Sequence, residues 1–395
     1  MVSLSPPAPT PPRDGEGRLE HIDAMRPVAQ AAVVSSHALI FLAPITTSLT
    51  AAGLLFVVRF SRDSFFFISA LVLTLTYVEY ARFPFVHFWR RRLLLTGVPY
   101  LCWTVIYFVF INATPVASFP FYHVDVGALV SGSGLVDFLT LLKNGYYQLY
   151  FVVVLFEFYV LFPLLLLWLR RARRWHVPVL VVAVLWQFFY DIAIRRHLFP
   201  FALSGRLETR LIVSYPIYLL AGMIVALHLG DLHDWVVHHA RAVIAGTAIV
   251  AVVALSLDHV NGNSLVAQYL APRLDVFAPL AVIYNLGAIA CLYLLGVYLT
   301  SAQRRAWIHR VVGSTSRASL GIYLSQLIWI PILIRVSTKI HLSSHLSWFV
   351  FVAGVAIATF LAGYVVTLVA ERTPLSRALV GQPTVAWRRR RDPTP

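Results

Sequence analysis

Apolar residues in this chain fall in long, nearly unbroken runs, and short basic clusters mark the gaps between them. Strict alternation and narrow amphipathic stripes, the marks of half-buried strands and soluble surface helices, are rare. A hydrocarbon layer about 30 Å thick is crossed by roughly 20 helical residues rising 1.5 Å each. Runs of that kind lie near 24–44, 49–80, 93–113, 147–169, 177–194, 210–228, 242–258, 276–299, 317–335 and 346–369. They predict an all-α integral membrane protein, with about ten transmembrane helices in one bundle. The run 49–80 is too long for one ordinary span, and Arg59, Arg62 and Asp63 interrupt its first part. It is read as one span with its apolar heart at 65–80, preceded by an interfacial or re-entrant piece. The connection 114–146 is the longest, and its Phe, Val and Leu content predicts a helix lying at the membrane interface.

Composition removes the water-soluble alternative. Of 395 residues, 59% are hydrophobic and 12% charged, with a mean hydropathy of +0.75; too few polar side chains exist to cover a soluble surface. The net charge of +15 would suit nucleic acid if it formed one patch. Instead arginines sit in short blocks at Arg90–Arg92, Arg170–Arg174, Arg304–Arg305 and Arg388–Arg391. That distribution marks loops retained on the cytoplasmic side beside anionic lipid. It predicts a cytoplasmic N-terminus, membrane lipids as partners and no nucleic acid. Residues 1–20, rich in Pro and Gly, carry no signal-peptide pattern and are read as a disordered cytoplasmic tail. The membrane domain is expected over 21–381, and 382–395 as a basic cytoplasmic tail. Cys102 and Cys291 lie in apolar runs and suggest neither a disulfide framework nor a metal site.

Candidate chemistry comes from polar residues inside the apolar runs, which are costly there unless paired or facing a wet cavity. In the first run Arg26 and His37 are eleven positions apart, about 16 Å along a helix and nearly on the same face. Asp23 and Gln30 join that stripe. An imidazole deep in a membrane can take a proton from a hydroxyl and return it to a leaving group; the alternative is a structural histidine bonded to a neighbouring helix. Glu157, about ten residues into its run, must pair across helices, stay protonated or meet substrate. One of its options is to orient His37. Arg90, Arg91 and Arg92 open the third span and could bind phosphates, with Arg92 nearest the membrane, or could serve as an orientation anchor. Arg195, Arg196, Arg206 and Arg210 fall on the translocated side, against the charge rule. They are either an unusually charged solvated loop or a place for an anionic ligand. Tyr323 and Gln326 form an i, i+3 pair suited to substrate or to helix packing. No standard metal site, Gly-rich phosphate loop or serine elbow is present in the sequence.

In series, these segments resemble the bacterial membrane-bound acyltransferase family three, especially its branch for intercellular-adhesin polysaccharide modification. The family opens with Asp, two residues, Arg, ten residues and His, which Asp23, Arg26 and His37 match. Phe65 to Ala70 resembles its second-span motif, with Ala70 in place of the customary Gly. Arg90–Arg92 with Pro99 and Tyr100, the stretch Leu149 to Pro163, and Ser319 to Gln326 with Arg372 to Leu375 resemble its later motifs. Leu95 and Gln326 stand where the family often has Arg and His.

The resemblance implies an O-acyltransferase of the bacterial inner membrane, multi-pass, with no permanently bound cofactor. Acyl-coenzyme A, acetyl-CoA by default, would enter from the cytoplasm and place its phosphates on Arg26 and Arg90–Arg92. The acceptor hydroxyl would come from an extracytoplasmic glycan, glycolipid or lipid, with envelope synthesis proteins as further partners. His37 would act as base or transient acyl carrier. A transporter or flippase for a polysaccharide or lipid intermediate is the alternative from another class, and a structural subunit of an envelope complex is the third.

Overall fold

The computed structural model describes residues 16–42, 49–115, 122–196, 210–260, 277–301, 306–337 and 345–384. Helix dominates throughout. α1 (Glu16–Leu42) begins inside the stretch expected to be tail, and continues through Pro27. α2 (Leu49–Val58) and α3 (Phe60–Tyr77) divide the second apolar run at Arg59. α4 (Phe85–Arg92) and α5 (Val98–Ile111) are joined by a π-helical turn, Leu93–Gly97, directly after the arginine block. A hairpin of β1 (Ala113–Pro115) and β2 (Tyr122–Val124) then leads into α6 (Val126–Val130) and α7 (Gly132–Asn144). α8 (Tyr150–Arg171), α9 (His176–Arg195), α10 (Pro216–Leu227), α11 (Leu229–His238) and α12 (Ala240–Val260) follow. α13 (Pro279–Leu299), α14 (Ala306–Ser337), α15 (His345–Ala370) and α16 (Ser376–Val380) complete the chain.

Among the described residues, eight helices are long and apolar enough to cross a membrane, or nine if the pair Pro216–Leu227 and Leu229–His238, bent by 100°, is one span. This is an all-α, multi-span membrane architecture. α2 and α3 are not among these helices: the break at Arg59 leaves α2 with 10 residues, and α3 carries the charges of Arg62 and Asp63.

α1 is the central helix and packs on α3, α13, α14 and α15. Two contacts fix it against α14. Near one end Glu20 lies 3.7 Å from His309, and deeper in the bundle His37 faces Gln326. The contacts are equally far apart in sequence on both helices, so α1 and α14 run parallel. α3 and α10 also run side by side, and Gly222 sets their closest approach. A Cβ there would lie 2.3 Å from the carbonyl oxygen of Phe67, so any larger residue would force the pair apart.

The connection after α5 contains the expected helix, α7, which keeps Leu135, Val136 and Leu139 exposed and packs one side along α5. Phe138 packs on Phe108, with ring centroids 5.4 Å apart, and the Tyr100 hydroxyl donates to the Leu142 carbonyl at 2.6 Å. Thus α7 runs back alongside α5, and its C-terminal end lies beside Tyr100. The Leu and Val pattern announces a helix there, and tertiary packing sets its direction along α5.

Candidate active site

The α1 stripe forms as its spacing requires. Arg26 Nη1 pairs with Asp23 Oδ1 at 2.9 Å, with the Arg26 side chain 30% exposed. The pair leaves the other guanidinium N–H groups for a further anion. His37 lies about 16 Å farther along the helix. Its Nδ1 is enclosed and has no hydrogen-bond partner, while the residue as a whole keeps partial exposure. Gln326 faces the ring. The Tyr147 ring meets His37 edge-on at 5.6 Å and packs on Phe41 at 5.5 Å.

Tyr147 holds this place through an unusual backbone. It has φ 37°, the positive φ recorded for a residue other than glycine, next to Gly145 with φ 71°. Left-handed backbone is costly for a bulky side chain and persists only where neighbours enforce it. The neighbours here are specific. Tyr323 donates its hydroxyl to the Gln148 carbonyl, Gln148 Nε2 donates to the Tyr107 hydroxyl at 2.8 Å, and Tyr107 donates to the Leu324 carbonyl at 2.6 Å. The break between α7 and α8 is thereby tied to α5 and α14, and it carries Tyr147 to the imidazole.

Gly145 permits the break, because a Cβ would stand 2.4 Å from the Tyr150 nitrogen and 2.6 Å from the Leu149 carbonyl carbon. Gly145→Ala is therefore expected to cost about 2–3 kcal/mol and to displace Tyr147 from His37. Thermal melting in detergent should fall together with acyl transfer; a variant matching wild type in both would refute this role for the turn.

A second polar cluster lies in the bundle. Arg62 Nε donates to Asp63 Oδ1 at 2.9 Å, with the Asp63 side chain fully enclosed and that of Arg62 19% exposed. Asn285 Nδ2 donates to Asp63 Oδ2 at 2.7 Å and approaches the Tyr218 hydroxyl at 3.3 Å. The Arg62 guanidinium sits over Tyr215 at 5.0 Å and Phe277 at 5.4 Å. Ring contacts connect the clusters: Tyr215 stacks on Phe66 at 4.3 Å, Phe66 meets Phe151 at a tilt at 4.5 Å, and Phe151 meets Tyr323 edge-on at 5.7 Å. Sequence reasoning treated Arg62 and Asp63 as interruptions of a span. The available signal was an adjacent pair of opposite charges opening the Phe-rich motif.

The remaining candidates separate. Glu157 Oε2 accepts from the Ile212 backbone N–H at 2.7 Å, holding the short turn Ile212–Ser214 that precedes α10. The structure ties this carboxylate to that turn and not to His37. Arg92 is half-buried, its guanidinium over Phe88 at 5.7 Å and Tyr159 at 5.8 Å, and its Nε is enclosed without a partner. Arg90 and Arg91 are exposed. Arg196 is exposed and Arg210 partly buried near Tyr100; Arg206 lies outside the described residues, and only the backbone of Arg195 is described. The structure thus brings together Asp23 with Arg26, and His37 with Gln326, with Tyr323 bracing the chain that bears Tyr147.

Comparison with known proteins gives a family for this membrane domain. A family model described as an acyltransferase domain, that of acyltransferase family 3, matches residues 19–368. No curated protein and no solved structure gives a match. The matched region runs from the first turns of α1 to the end of α15 and includes the Asp23–Arg26 pair, His37, Gln326 and the Arg62 cluster, so the chain belongs to acyltransferase family 3 and is a membrane acyltransferase.

Proposed function

We propose that this protein moves an acyl group, acetyl first among the candidates, from acyl-coenzyme A to a hydroxyl of a glycan or glycolipid at the opposite membrane face. The observation that carries this reading is an imidazole enclosed in the bundle, one ring nitrogen unpaired, on the same helix face as an arginine held ready by Asp23. The natural setting is a bacterial inner membrane, with envelope polysaccharide modification of the intercellular-adhesin type as the nearest process. The Asp23–Arg26 pair belongs to the end of α1 where Glu20 meets His309, and the positive-inside rule makes an end that gathers basic residues the cytoplasmic one.

The donor's phosphates would rest on Arg26 and Arg92, with Arg90 and Arg91 at the rim, since guanidinium groups bind phosphate through paired N–H donors. Its extended arm would carry the thioester toward His37. The imidazole takes the proton from the acceptor hydroxyl as that oxygen attacks the thioester carbonyl. As the C–S bond breaks, the imidazolium returns the proton to the leaving thiolate. Alternatively the imidazole takes the acyl group first, releases the thiol and passes the group to the hydroxyl. Either route conserves charge and protons. The exposed Arg196 and partly buried Arg210 would favour an anionic acceptor.

The test is a donor assay on purified protein in lipid vesicles with labelled acetyl- and succinyl-coenzyme A. Arg26→Ala is expected to raise the donor KM by about tenfold or more, the loss of a charge-assisted hydrogen bond, while kcat changes little. No thioester consumption by wild type, together with movement of a glycan lipid across donor-free vesicles, would replace the enzyme reading with the transporter reading.

A further inference from the structure

Between Arg26 and His37 the same helix face carries a third polar side chain. Gln30 is four residues past Arg26 and seven before His37, so it lies within about 40° of both around the helix. It is completely enclosed, at 0% exposure, and neither Nε2 nor Oε1 has a hydrogen-bond partner. A buried carboxamide left with both ends unpaired is destabilising, because neither end recovers the hydrogen bond it made to water. Leucine or alanine would avoid that cost at a helix position facing neighbouring helices. A side chain kept under such strain on the line between a phosphate-binding arginine and a catalytic imidazole is a side chain awaiting a partner with both a donor and an acceptor.

We infer that Gln30 recognises an amide of the donor's arm. This inference rests on the acyl-coenzyme A reading above and deepens it. Coenzyme A carries secondary amides between its phosphates and its thioester, and a secondary amide offers one N–H and one C=O. A primary carboxamide is its complement: Oε1 accepts from the amide N–H and Nε2 donates to its C=O. Among side chains only asparagine, on a shorter stem, shares this adjacent pair of amide donor and carbonyl acceptor. Gln326, fully enclosed and facing His37, presents the same group there. The arm would therefore be read at two depths, by Gln30 midway and by Gln326 next to the thioester. Val33, one turn past Gln30 and buried, would border the methylene stretch between them.

The decisive experiment compares three acetyl thioesters on the same vesicle-embedded protein. Acetyl-CoA has phosphates and amides, acetyl-pantetheine has amides alone, and a simple alkyl thioacetate has neither. The variants are Gln30→Leu and, as a control, Gln187→Leu. Gln187 is also fully enclosed with an unpaired carboxamide, but lies on α9, off the stripe. Gln30→Leu is expected to lower kcat/KM by about tenfold or more for the two amide-bearing donors, with little change for the alkyl thioester. In the absence of donor it should melt at or above the wild-type temperature, because an unsatisfied polar group has been removed from the interior. Gln187→Leu should keep the wild-type ratio among donors. Equal loss of Gln30→Leu on all three thioesters, or no loss on any, overturns the inference while leaving acyl transfer standing. Inactivity of wild type on every thioester would instead overturn the acyl-coenzyme A reading, and this inference with it.

Discussion

His37→Ala is expected to lower acyl transfer by about a thousandfold or more while the protein still inserts, folds and binds donor. The size follows from the role. A positioned general base is worth on the order of 10²–10⁴ in rate, and a covalent carrier whose loss closes its route is worth at least as much. Insertion should survive because the ring makes little structural contribution: Nδ1 has no hydrogen bond to lose. What disappears is an edge contact with Tyr147 and some packing volume. The measurement pairs labelled acetyl transfer with detergent gel filtration and melting of the same preparation. Retention of wild-type transfer by H37A would end the proposed mechanism. Loss of folding in step with activity would mean that the imidazole is structural, and His37→Gln, which keeps a polar side chain of similar size, should then restore both. Under the catalytic reading both His37→Ala and His37→Gln fold, and both stay inactive.

The part of this site that lies on one helix was legible in the sequence, and the part assembled from distant helices was not. Asp23, Arg26, Gln30 and His37 fall on one face by the arithmetic of 3.6 residues per turn, which needs no knowledge of neighbours. The structure adds the ion pair between Asp23 and Arg26 that this spacing allows. Most membrane spans were legible for the same reason, since length and hydropathy are local properties. Arg62 and Asp63 were visible but misread, because their stabilising partners Asn285 and Tyr218 lie far along the chain and carry no local signal. Glu157 shows a different limit. Its partner is a backbone N–H of Ile212, and every residue but proline has one, so no sequence pattern could have chosen that partner over His37. The course of α7 back along α5 is fixed by the Phe108–Phe138 contact and by the Tyr100 hydroxyl meeting a backbone carbonyl, again contacts that composition does not encode. Tyr147 was missed because its importance lies in a strained turn enforced by Gly145 and three tertiary hydrogen bonds.

The largest expected effect on stability comes from Asp63→Ala. Arg62 is held by three features: the Asp63 carboxylate on Nε and the faces of Tyr215 and Phe277. Removing the carboxylate leaves a guanidinium in an apolar bundle without its counter-charge, and strands the Asn285 amide that donates to it. Breaking a buried ion pair from one side typically costs about 3–5 kcal/mol, because the surviving charge keeps its desolvation penalty. Asp63→Ala should therefore melt far below wild type in detergent and express poorly in the membrane. The double substitution Arg62→Met with Asp63→Leu removes both charges and conserves apolar volume, so it should recover most of the lost stability. Recovery of folding without recovery of acyl transfer would place the pair among the groups that shape the reaction chamber. Recovery of both would make it a structural lock between α3, α10 and α13. If Asp63→Ala melted with the wild-type profile, the carboxylate could not be the counter-charge that keeps Arg62 inside the bundle.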